Sequence, residues 1–144
     1  MKQAKFLLLM TSLLFYGHAL ADFQSILKKA EKGDAQAQYI VGTMYQLGKG
    51  VPEDDDAAFK WTRLSAMQGD AEAQNNLGYM YDMGEGVVEN DLRSYMWRYI
   101  AAEQGELDAI EHRDQLAKWL SKEKLAKAQA MVTDCKKSHY KNCE

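Results

Sequence analysis

The feature that most restricts what this chain can fold into is a repeat: displaced by 36 residues, the sequence falls onto itself. Between residues 33–68 and 69–104, 16 of 36 positions are identical. Gly33-Asp34-Ala35 falls on Gly69-Asp70-Ala71, Gly42 on Gly78, Tyr45 on Tyr81, Gly48 and Gly50 on Gly84 and Gly86, and Trp61 on Trp97. A third copy starts at Gly105 and decays, keeping Ala109 opposite Ala73 but placing Asp114 where the glycine stood. A period of this length means supersecondary units that cannot bury their apolar faces alone and do so by stacking, with atypical units at the ends. The third copy therefore reads as a cap.

Punctuation divides each unit into two helices. Gly33 and Gly69 suit the left-handed position just past a helix end, and Asp34 and Asp70 suit the N-cap of the next. A first helix is expected over about Ala35–Leu47 and Ala71–Met83, stopped by the Gly48-Lys49-Gly50 and Gly84-Glu85-Gly86 loops. Asp55 and Asp91 are the expected N-caps of second helices reaching about Gln68 and Gln104. Alanine, leucine, glutamine and lysine are plentiful and proline occurs once, at Pro52, so the expected fold class is all-α, a short α/α solenoid. Gly42 and Gly78 fall mid-helix, where glycine costs roughly 1 kcal/mol against alanine, so close helix approach is the reason to keep them. Ala37, Ala66, Ala73 and Ala102 serve the same end. Tyr45, Trp61, Tyr81 and Trp97 recur once per unit and are assigned to the seams. Residues 22–32 form an opening helix with Phe23, Ile26, Leu27 and Ala30 on one face. Ser121 can cap a last helix whose stripe is Leu125, Ala128, Val132 and Cys135.

The pattern A-x-A-Q-x-x-[LV]-G-x-M-Y-x-x-G-x-G-V, followed by alanine or serine and tryptophan, resembles the Sel-like repeat family, a branch of the tetratricopeptide-like solenoids. It is carried by Ala35, Ala37, Gln38, Gly42, Tyr45, Gly48, Gly50, Val51, Ala58 and Trp61, and by Ala71, Ala73, Gln74, Gly78, Tyr81, Gly84, Gly86, Val87, Ser94 and Trp97. The resemblance implies an α/α superhelix whose first helices line a concave side that receives a partner protein, and scaffold or adaptor work rather than chemistry. An alternative implied by the cysteine-rich branch of the family is binding or hydrolysis of β-lactams. That branch carries cysteine pairs inside its repeats, and here only Cys135 and Cys143 resemble such a spacing.

Ahead of the repeats, Lys2 and Lys5 precede an apolar run from Phe6 to Tyr16 and then Ala19-Leu20-Ala21, the form of a cleavable signal peptide. The run is too short to span a bilayer, and no cysteine near Ala21 offers a lipid anchor. Cleavage after Ala21 is expected, with a periplasmic or secreted product, a monomer not inserted in the membrane, beginning at Asp22. Removal of residues 1–21 takes two of the 18 Lys and Arg and none of the 21 Asp and Glu, leaving 16 against 21, net −5. That balance argues against nucleic acid, whose phosphates need clustered cations. The basic residues gather only at Lys118, Lys122, Lys124, Lys127, Lys136, Lys137 and Lys141, which read as a solvated helix face. Two cysteines in an exported chain are expected as a Cys135–Cys143 disulfide. The expected organisation is signal peptide 1–21, opening helix 22–32, repeats 33–68 and 69–104, and a degenerate repeat with C-terminal cap over 105–144.

Catalysis needs a constellation, and the sequence offers none. His18 falls in the signal, His112 on an exposed helix face and His139 in the tail. Two thiols make half of a tetrahedral zinc site, and Glu53-Asp54-Asp55-Asp56 lacks the alternating acids and central glycine of a calcium loop. No metal or other cofactor is expected. The candidate partner surface consists of first-helix positions that differ between repeats while their packing neighbours agree. They are Gln36, Tyr39, Ile40, Thr43 and Gln46, then Glu72, Asn75, Asn76, Tyr79 and Asp82, with Tyr39, Thr43, Gln46, Glu72, Asn75, Asn76, Tyr79 and Asp82 as the contact set. These fall on one helix side at spacings of three and four. No lysine or arginine is among them, so a neutral or basic partner segment fits better than an acidic one.

Overall fold

The computed structural model describes residues 20–143, so the expected signal sequence lies outside the described residues except for its last two positions. Seven helices follow one another: α1 (20–31), α2 (Ala35–Gln46), α3 (Asp55–Ala66), α4 (Ala71–Met83), α5 (Asp91–Glu103), α6 (Leu107–Trp119) and α7 (Lys122–Lys137). No strand occurs among the described residues, and none of their helices is long and apolar enough to cross a membrane. Packing runs as a zigzag: α2 lies on α3, α3 on α4, α4 on α5 and α5 on α6, while α7 returns to α5. Helices α2, α4 and α6 pack chiefly on the helices between them, and α2 meets α4 through side chains, Asn76 donating to Gln46 at 3.1 Å.

Each helix start has a local cause. The Asp34 and Asp70 carboxylates accept the amides of Ala37 and Ala73 at 2.7 and 2.8 Å, and Gly33 and Gly69 before them hold φ of 92° and 96°. The second helices begin one residue earlier than their expected caps. Asp54 and Asn90 cap α3 and α5, accepting from Ala57 and Arg93, and Asp55 and Asp91 become first-turn acids. The backbone fixes that choice, because the amides of Asp54 and Asn90 donate to the carbonyls of Tyr45 and Tyr81 at 3.1 and 2.8 Å. Asp55 and Asp91 instead face the partial positive charge of the helix start, where a carboxylate is favoured. Ser121 caps α7 through the amide of Lys124, as its sequence position suggests.

The opening helix does more than cap. Phe23 meets Tyr45 edge-on at 5.5 Å, and 36 residues later Phe59 meets Tyr81 edge-on at 5.6 Å. Helix α1 thus packs on α2 as α3 packs on α4. A second recurrence is polar: Gln38 donates to the Ala30 carbonyl and Gln74 to the Ala66 carbonyl, both at 3.1 Å, while Gln68 and Gln104 donate to Gln38 and Gln74 at 2.7 Å. Each buried glutamine adds a second donor to a helix-end carbonyl that already accepts from the amide of Gly33 or Gly69.

The main core joins Ala66, Ala73, Leu77, Tyr81, Met96, Trp97 and Ile100 to Val132, Cys135 and Cys143. Tyr81 and Trp97 are buried, whereas Tyr45 and Trp61 are half-buried against the smaller Phe23–Val41 cluster. Cys135 and Cys143 are bonded, which draws Tyr140 back over Gly69.

Candidate partner-binding groove

The solvent-facing sides of α2, α4 and α6 line adjoining cavities that together make a groove. One cavity of about 370 Å³ is lined by Tyr39 from α2, by Glu72, Asn75, Asn76 and Tyr79 from α4, by Glu106, Asp108 and His112 from the start of α6, and by Arg98 from α5 below. Five of the eight expected contact residues come together there. Thr43 lies on an adjoining cavity of about 450 Å³ with Gln36, Ile40, Met44 and Leu47, and Tyr39 and Glu72 belong to both. The two cavities are therefore one continuous surface divided by a Tyr39–Glu72 ridge.

The remaining two, Gln46 and Asp82, face neighbours within the chain. Gln46 donates to Glu85 at 2.8 Å and accepts from Asn76 at 3.1 Å. The Tyr79 hydroxyl donates to the other oxygen of Glu85 at 3.2 Å. Glu85 thus ties α2 to α4, and its own position is fixed because Gly86 beside it, at φ 64°, lies against the backbone of Asp55 where no Cβ could fit. Thr43 donates to the Tyr39 carbonyl. Asp82 pairs with Arg98 at 3.2 Å.

Arg98 brings to the groove lining a cation that the first-helix positions do not supply. It lies on a second helix, outside the first-helix positions considered, and is only 2% exposed; its Cγ lies where a Cβ on Gly78 would be. The missing side chain at position 78 is what lets it pass toward the groove. Sequence reasoning also passed over Glu106, Asp108 and His112. Two of these were within reach, for Asp108 and His112 stand 36 residues beyond Glu72 and Asn76. His112 is exposed, with Nδ1 2.7 Å from the Asp108 carbonyl.

Charge around the two tyrosines is visible in their acidities. Burial and the nearby carboxylates of Glu72, Asp70 and Glu106 push the Tyr39 phenol above its ordinary value. Tyr79 is pushed the same way by the charge of Glu85 and by donating its proton to it. The cavity lining holds no serine or cysteine to act as a nucleophile, and no cluster of His, Cys, Asp and Glu among the described residues has metal-binding geometry. What the arrangement offers is hydrogen bonding, aromatic surface and negative charge.

Comparison with known proteins agrees with this architecture. A protective antigen of uropathogenic Escherichia coli, c5321, displays a Sel-like repeat fold and superposes with a TM-score of 0.78 over 84% of this chain, at 28% identity. A Sel1 repeat protein from Oxalobacter formigenes gives 0.66 over 67% of the chain at 37% identity. The Sel1-repeat-containing protein YbeQ of E. coli is 48% identical over 42 residues, 28% of this chain. The matched region spans 26% and 28% of the two solved structures and 13% of YbeQ, so this chain covers only part of these longer relatives. The Sel1 repeat family model matches residues 35–70 and again 71–106, together half of the sequence and in register with the glycines, capping aspartates and buried glutamines described above; the chain belongs to the Sel1 repeat family.

Proposed function

We propose that this protein is an exported, monomeric interaction module that binds a partner protein through the concave groove of α2, α4 and α6. The observation that carries this reading is the convergence of Tyr39, Glu72, Asn75, Asn76 and Tyr79, drawn from two repeats, on one open cavity. These positions vary between repeats whose packing residues agree, which is the pattern of a scaffold holding a variable surface. Tyrosines and asparagines supply rigid contact area and amide hydrogen bonds, as binding surfaces do. Sel1 repeats generally mediate protein–protein contact, which supports binding rather than catalysis. A neutral or basic segment of the partner suits the carboxylates along the groove. Export rests on the basic start, short apolar run and Ala19-Leu20-Ala21 site.

The test is crosslinking in the source cell, identification of the captured protein, and measurement of its affinity for Tyr79→Ala and Asn75→Ala. Each should weaken binding by roughly 1–2 kcal/mol, as loss of an interface anchor does, with helicity unchanged. If both variants bind like the parent while substitutions on α3 or α5 abolish binding, the groove is not the partner surface.

A further inference from the structure

Within the groove, the unpaired carboxylates set what an occupant must carry. Glu72, Glu106 and Asp108 stand around the cavity mouth on α4 and α6. None of the three carboxylates has an ion-pair or hydrogen-bond partner among the described residues; Glu106 occupies the N-cap of α6 without capping it. Glu72 and Asp108 lie in first helical turns, where acids are favoured for the helix's own sake. Helix stability gives no reason for them to converge on one cavity from two repeats. Arg98 does not offset them: it is buried beneath the cavity and one guanidinium nitrogen is paired with Asp82. Asn75 beside it has its amide unengaged.

We propose that the cavity receives an extended basic segment of the partner. Lysine or arginine side chains of that segment lie at the mouth against Glu72, Glu106 and Asp108, while Arg98 stays paired with Asp82 beneath them. The rings of Tyr39 and Tyr79 flank the same space and can carry the aliphatic stems or face the cations. An acidic segment is repelled by three unpaired carboxylates, which is how a groove rejects wrong partners. This inference rests on the groove being the partner surface, and it adds the class of segment that enters.

Three fluorescein-labelled heptapeptides with blocked ends test it by anisotropy with the full chain: one with lysine and arginine alternating with alanine, one with glutamine in place of the cations, one with glutamate. The basic peptide should bind about tenfold or more tighter than the glutamine peptide, and the glutamate peptide weakest. Raising salt from about 0.05 to about 0.5 M should erode that preference. Glu72→Gln, Glu106→Gln and Asp108→Asn should each weaken the basic peptide about two- to fivefold and the triple variant about tenfold or more, as exposed ion pairs do. Asp55→Asn with Asp56→Asn removes similar charge from α3 and should leave affinity within about twofold. The proposal is overturned if the glutamate peptide binds as well as the basic one, or if the triple variant binds the basic peptide unchanged. In the second case, loss of binding on Tyr79→Ala would leave the groove standing as a charge-indifferent surface. Binding that survives Tyr79→Ala, Asn75→Ala and the triple variant alike removes the groove as well.

Discussion

Replacing Gly42 by alanine sets two known effects against each other. In an open helix the change stabilises by about 1 kcal/mol, since glycine pays more backbone entropy. Here a Cβ at position 42 would stand 2.5 Å from Oγ1 of Thr62, 3.1 Å from the Thr62 amide nitrogen and 3.2 Å from the Ala58 carbonyl oxygen. Two of those three atoms are backbone, and the third belongs to a β-branched residue with little χ1 freedom in a helix. Overpacking of this kind costs about 1–3 kcal/mol, enough to reverse the helix gain. The expected net loss is up to about 2 kcal/mol, or up to about 8 °C in Tm for a domain of this size. Thr62→Ala provides the control. Its hydroxyl is buried without a hydrogen-bond partner, so removing it relieves an unsatisfied group and sheds a methyl, and the single change should be nearly neutral. In the Thr62→Ala background the 2.5 Å contact is gone, so Gly42→Ala should cost at least about 1 kcal/mol less, a coupling that a double-mutant cycle reads directly. Thermal and urea unfolding by circular dichroism measure all four proteins. A Gly42→Ala protein more stable than the parent, or a double variant no better than the sum of the singles, would refute close α2–α3 approach as the reason for this glycine.

Four further outcomes are expected. Gln74→Leu removes one of two donors to the Ala66 carbonyl and the acceptor of the Gln104 amide, and should cost about 1–3 kcal/mol in urea unfolding; a neutral result would mean the glutamine contributes nothing. The Cys135–Cys143 bond closes a short ring worth about 2.6 kcal/mol by chain entropy, so Cys143→Ser should lower stability by up to that amount, and denatured oxidised protein should show no free thiol. Since Tyr39 and Tyr79 are raised above 10.0, their phenols stabilise the fold fully below pH 10, and that contribution is lost as pH rises through the shifted values; phenolate absorbance in Tyr39→Phe and Tyr79→Phe should place both among the late ionisations, together with Tyr95, which burial raises as well. Mass spectrometry of exported material should give a chain beginning at Asp22, and a retained Met1 would contradict export.

The repeat made most of the helical plan legible, because glycine and aspartate at helix joints act through local backbone chemistry that one sequence displays. The cap positions Asp54 and Asn90 were not, since adjacent residues offer equally good capping side chains and the decision falls to backbone bonds from Tyr45 and Tyr81 across the loop. Helix α1 shows a different limit. Phe23 and Ala30 lie 36 residues before Phe59 and Ala66, but two matches in a short segment carry little weight until the ring pairs are seen in space. In the groove, Tyr39, Asn75 and Tyr79 could be found from differences between repeats. Arg98 could not, because it reaches the cavity from the other layer through room left by Gly78.

The glutamine contacts have a consequence for how the stack comes apart. Gln38 and Gln74 each tie their helix to the turn just before it and to the end of the helix just after it, so strength is passed from neighbour to neighbour, as rungs on a single rail, with no bond spanning the whole. At the next position in the series stands Ile110, which has no amide to give, and the rail stops between the second and third units. Opening should therefore start beyond α5, with α6 exchanging its amide hydrogens before α4 does. Since α6 supplies Glu106, Asp108 and His112, the wall most easily loosened is one that a bound segment would hold in place.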